Sequence, residues 1–236
     1  MAVSPETEWV LVACGLIAHA DGSLDGNEAE RLMSMVDDLV DGEDYADWLG
    51  LIGDKAALEA RYAALADPPV DQHRDLLEQA WTMAMVDGER NAAELVVLAR
   101  IAERLGVEPM QLNFWRDAWT RAEREFSQRV AQLAVYVLAG GHALFEDDHS
   151  PYLDLLQRLP SSSTEREALE ALATQPPTDE SALSRSLAAI AKRRRVQAFR
   201  IVAPLTGTAV EHDLARERFE TVGRAAGLLD VAKLLA

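Results

Sequence analysis

Between Pro109 and Ala139 the chain runs 31 residues without a glycine or a second proline, and Gly140-Gly141 closes the run. Ordinary strands are far shorter than this; as a helix the stretch would be about 46 Å long. The spacing predicts one long helix, or two nearly collinear ones, across the middle of the chain. The flanking sequence agrees. Leu32, Val36 and Leu39 form one apolar stripe, and Leu95, Leu98, Ile101, Ala102 and Leu105 form another, at the three-and-four spacing of amphipathic helices. No sustained period-2 alternation marks a strand. The expected fold is all-α: two tandem helical domains of several short helices each, joined by the long helix.

Shorter helices are expected over about residues 6–20, 26–40, 45–51, 55–66, 70–86 and 92–105. Asp67-Pro68-Pro69 and Gly106 supply stops. In the second half, a helix start is expected at Ser150-Pro151, and one long helix over about residues 178–202.

A repeat organises these helices. Residues 18–28 carry Ala20-Asp21-Gly22, with Glu28 seven residues after the Asp; residues 84–94 carry Val86-Asp87-Gly88, with Glu94 at the same spacing. Both sit between helical patterns, 66 residues apart. Gly140-Gly141 and Thr206-Gly207 occupy the corresponding places in the second half, again 66 apart and offset by 119 from the first pair. The inference is a duplication, with domains 1–118 and 119–236. The charge follows it. The chain carries −17 overall, with 40 acidic and 23 basic residues. Residues 1–118 hold −16 of this, and residues 119–236 hold −1. So acidic a chain is a poor nucleic-acid binder.

With Ala20-Asp21-Gly22 and Glu28, and Val86-Asp87-Gly88 and Glu94, the first domain resembles the TerB tellurite-resistance family, which has paired Ala-Asp-Gly…Glu loops. The resemblance covers about residues 6–118. Over 120–236 it survives only in spacing, glycine and one acid, so the second domain reads as a degenerate copy. It implies a compact helical fold and a bacterial cytoplasmic stress-response or interaction protein with a protein partner. Some members are linked to divalent metals and membrane-associated complexes; the resemblance implies no settled enzymatic activity.

Two readings of the loops stand side by side. Asp21, Asp25 and Glu28 in one, with Asp87, Glu89 and Glu94 in the other, supply hard oxygen ligands. If the loops are adjacent, they would take a divalent cation, Ca²⁺ or Mg²⁺, as the sole cofactor. Alternatively Asp25 with Glu28, and Asn91 with Glu94, are capping boxes that only start helices, and the protein is a metal-free scaffold. A metal-dependent hydrolase is a third reading, but no nucleotide-binding, hydrolase or zincin motif supports an enzyme. In the second domain, Glu146, Asp147 and Asp148 with His142 and His149 read as a solvated loop or a Zn²⁺ cluster.

Lys192, Arg193, Arg194 and Arg195 form the one basic run. It reads as the solvated side of a helix, a peripheral contact for an anionic membrane, or a docking element for the acidic domain. Leu11-Val12-Ala13-Cys14 resembles a lipoprotein box, but acids precede it and the apolar run is short, so Cys14 reads as a buried helical cysteine. With no membrane-length apolar run, the expected location is the cytoplasm. The five tryptophans, with Phe114 and Phe126, read as core residues.

Overall fold

Ten consecutive residues of the first helix, Trp9–Ala18, are buried, which requires helices on every side of it. The structure is a computed structural model and describes residues 3–22, 24, 26–40, 42–85 and 91–235. Among the described residues there is no strand.

The helices run in chain order α1 (Pro5–Ala18), α2 (Gly26–Leu39), α3 (Tyr45–Ile52), α4 (Lys55–Ala64), α5 (His73–Met83) and α6 (Ala92–Arg104). The long α7 follows over Pro109–Ala139, as the glycine-free run predicts. After it come α8 (Glu146–Gln157), α9 (Ser163–Glu170), α10 (Glu180–Ala188), α11 (Lys192–Val202), the single turn α12 (Leu205–Thr208) and α13 (His212–Ala225). The chain forms two compact units, Met1–Thr120 and Arg121–Ala236, and passes from one to the other within α7.

In the first unit α2, α4, α5 and α6 pack around α1. Gly15 permits the approach of α4: a Cβ there would meet Leu58 at 2.9 Å. Trp9 packs edge-on against Tyr62 at 5.6 Å and donates to the Ala66 carbonyl at 2.7 Å. Arg104 lies over both rings, donates to the Tyr62 and Leu65 carbonyls at the end of α4, and pairs with Asp67. Cys14 is buried in α1, and that burial pushes its thiol up to about 12.

The second unit is built around the end of α7, where Leu133–Ala139 are all buried. Phe199 and Phe219 form its aromatic centre, with ring centroids 5.1 Å apart.

Three expectations change. The helix expected over 178–202 is two, α10 and α11, broken at Ala189–Ala191. Arg195 holds the break by donating to the Leu187, Ala188 and Ile190 carbonyls, so one side chain does what continued helix would have done. Helix α8 starts at Glu146, not at Ser150-Pro151; three acids in its first turn favour the start, and Pro151 is carried inside. Phe114 is not core. It is 72% exposed, like Met110 one turn before it at 84%, while Trp119 on the other side of α7 is buried.

Candidate functional site: paired turns at the ends of buried helices

In each unit a turn at the end of a buried helix meets a second helix start or turn, and the contact differs between units. In the first, the α1–α2 turn carries Asp21 and the turn before α6 carries Asn91. The Asn91 side-chain amide donates to Asp21 Oδ2 at 3.3 Å, across 70 residues of sequence. The start of α6 therefore lies beside the turn that follows α1.

Glu28 and Glu94, at matching places in α2 and α6, are both buried. For Glu94 the capping box is seen directly: its Oε2 accepts the Asn91 N–H at 3.0 Å, and Asn91 Oδ1 accepts the Ala93 N–H at 2.9 Å. One oxygen of Glu94 thus serves the start of α6. Asp25, Asp87, Glu89 and the rest of 86–90 lie outside the described residues, and so does the expected Asp25 cap. Among the described residues no three His, Cys, Asp or Glu side chains gather as a metal-holding group.

Two features of this end of the unit had no sequence signal. Lys55 donates to the His19 carbonyl at 2.5 Å and reaches the Ala20 carbonyl at 3.5 Å, so an ammonium caps α1 just before Asp21. His19 is buried, with Nε2 2.8 Å from the Ile52 carbonyl, a structural role matching that of His73 on the Pro68 carbonyl. The His19 contact joins residues 33 apart in the chain, whereas that of His73 is local, five residues back.

In the second unit the turn after the buried end of α7 is built differently. Arg218 donates to the Val137 and Leu138 carbonyls at the end of α7, at 3.3 and 2.9 Å, and pairs with Glu211 at 2.8 Å. Its guanidinium fills the space beside Gly140, where a Cβ would stand 2.6 Å from Arg218 Nε. Gly140 also has φ +61°, a conformation side-chain-bearing residues resist. Opposite, Asp148 in the first turn of α8 is fully buried, not part of a solvated loop. Its Oδ1 accepts the Val210 N–H at 3.0 Å from the turn before α13, while Oδ2 has no hydrogen-bond partner. Burial pushes this carboxyl up; the Val210 N–H opposes that, and Asp147 and Glu211 add to it.

The basic run is only partly available. Lys192 and Arg193 are exposed, but Arg194 pairs with the buried Glu123 at 2.7 Å over the Phe126 ring, and Arg195 binds backbone carbonyls.

Among the described residues these features define a helical protein whose first unit holds the acidic turn after the buried α1 against the start of α6. Residues 7–117, just under half of the chain, match the family described as Tellurite resistance protein TerB, so the first unit carries a TerB domain. No curated protein and no solved structure matches the chain. Among the described residues no helix is long and apolar enough to cross a membrane.

Proposed function

We propose that the protein is a non-enzymatic, TerB-like interaction protein of the bacterial cytoplasmic stress response, whose first unit takes Ca²⁺ or Mg²⁺ at its paired Asp-Gly loops. The observation that supports this reading is the Asn91–Asp21 contact, which holds the start of α6 beside the first loop. Asp21, and Asp87 at the same place in the other repeat, are the principal oxygen donors in this reading. Asp25, Glu28, Glu89 and Glu94 complete the proposed ligand set. Carboxylate and amide oxygens fit a hard divalent cation. Bound there, the cation would offset part of the −16 charge of residues 1–118 and tie two helix starts together, making partner binding cation-responsive.

The second unit is proposed as a diverged copy. Its order of a buried helix end, a turn and a following helix repeats that of the first, at Gly140 and again before α13. It carries its own fixed cation, the Arg218 guanidinium, beside the position that Asp21 holds in the first. A partner contact is its proposed role.

Titrating Ca²⁺, Mg²⁺ and Zn²⁺ into chelator-treated protein tests the site by calorimetry. Saturable heat that disappears in Asp21→Ala with Asp87→Ala is the expected result. No heat from any of the three, with no rise in melting temperature, would leave the capping role alone, the reading that the Asn91–Glu94 box favours. The hydrolase reading gains nothing from the cavities of about 210 and 440 Å³: Asp21, Glu28 and Glu94 line neither.

A further inference from the structure

A slot of about 210 Å³ opens between α7 and α9 of the second unit, and no residue of that unit's paired turns lines it. Ala168, Leu169 and Leu172 give it an apolar wall. Ser127 of α7 lines it from the other side and is only 2% exposed, yet its hydroxyl has no hydrogen-bond partner. A helical serine ordinarily satisfies itself on the carbonyl one turn back; this one does not. A buried hydroxyl left unpaired is costly unless something supplies the missing bond.

At the mouth stands the Arg124–Glu165 ion pair, and its unused capacity has one sign. Both oxygens of Glu165 are engaged: Oε1 accepts from Arg124 Nε at 2.5 Å, and Oε2 accepts the Ser162 N–H at 3.0 Å in the capping box of α9. Arg124 uses Nε for this contact and retains the N–H donors of its two terminal nitrogens, with 60% of the side chain exposed. The mouth thus offers donors, and a carboxylate is the group that two guanidinium nitrogens take side by side. Arg124 and Ser127 lie three residues apart on α7, so their Cβ atoms are about 5–6 Å apart on one face. We infer that this slot binds a small monocarboxylate with an apolar body and a second hydrogen-bonding group, of the size and shape of a hydroxybenzoate. The carboxylate sits on Arg124, the ring lies against Leu169 and Leu172, and the distal hydroxyl meets Ser127.

This site is independent of the cation reading, so it is tested on the full chain in excess chelator. The probes are 4-hydroxybenzoate, benzoate and 4-hydroxybenzyl alcohol, read by calorimetry and by backbone amide shifts of α7 and α9. Saturable binding of 4-hydroxybenzoate is expected, with the alcohol at least about tenfold weaker because a charge-assisted contact is lost. Arg124→Gln should weaken 4-hydroxybenzoate by a similar factor. Ser127→Ala should erase its advantage over benzoate while leaving benzoate unchanged. Ala168→Trp fills the slot and should abolish binding at unchanged melting temperature; Leu172→Trp serves if Ala168→Trp melts lower. The inference is overturned if 4-hydroxybenzoate shows no saturation. It is equally overturned if a folded, slot-filled variant binds as the parent does, or if Arg124→Gln and the alcohol bind undiminished.

Discussion

Asp148 is the residue whose environment departs furthest from its sequence context. Between Asp147 and His149 it looks like one more solvated acid, but the structure buries it with one oxygen on the Val210 N–H and the other unpartnered. Its carboxyl is pushed up by burial, so the native state binds the proton more tightly than the unfolded chain does. The sign follows: its contribution is fully present below the unfolded carboxyl range and is lost as pH rises through the raised native value. Asp148→Asn removes that titration. The melting temperature of Asp148→Asn minus that of the parent is expected to grow more positive from pH 4 to pH 7; a constant difference would sink the assignment. Gly140 makes the complementary point. Gly140→Ala meets both a positive φ and the Arg218 guanidinium, and is expected to cost about 2 kcal/mol or more by urea unfolding. Removing Arg218 as well should relieve only the steric part. The Asn91–Glu94 cap, by contrast, was legible from sequence because a capping box is local: its two residues lie three apart and bond each other's backbone.

At the scale of elements, α7 was readable to the residue because nothing between Pro109 and Ala139 interrupts a helix and Gly140 stops it. The break between α10 and α11 was not readable, because no glycine or proline makes it. A side chain from the next helix does. Arg195 holds the carbonyls of Leu187, Ala188 and Ile190 and reaches Ala226 at the end of α13. Arg195→Met is expected to lose about 2–3 kcal/mol, since several half-buried carbonyls lose a charged donor together. Lysine should not rescue it, because one ammonium cannot span four acceptors arranged for a fork. Hydrogen exchange should quicken around residues 188–191 and 226–228. Arg193→Ala, exposed and in the same basic run, should leave both readouts unchanged.

For the whole molecule, charge and fluorescence divide in the same way. The first unit carries the −16, and all five tryptophans, Trp9, Trp48, Trp81, Trp115 and Trp119, lie in it. Tryptophan fluorescence therefore reports the unfolding of that unit alone. Raising NaCl from about 20 to about 200 mM shortens the screening length severalfold and relieves self-repulsion. The fluorescence midpoint in urea is expected to move upward, while amide exchange in α11 and α13 of the near-neutral unit stays level. An equal response in both would detach stability from the charge asymmetry.

The helical class, the long α7, most helix boundaries in the first unit and the spacing of the four turns are written in the chain itself. These depend on periodicity, stops and caps acting over a few residues. Which polar groups are buried, and what they meet, is set by how the helices pack. That packing brought Asn91 to Asp21, Lys55 to the end of α1, Arg218 to Gly140 and Asp148 to Val210, and it left Ser127 without a partner. Three of the four contacts join residues at least 62 apart in the chain and Lys55 reaches back 36 to His19, while the Ser127 hydroxyl lacks the local bond that a helix normally offers. No local rule encodes such outcomes, because desolvation acts on a group only once the chain has closed around it.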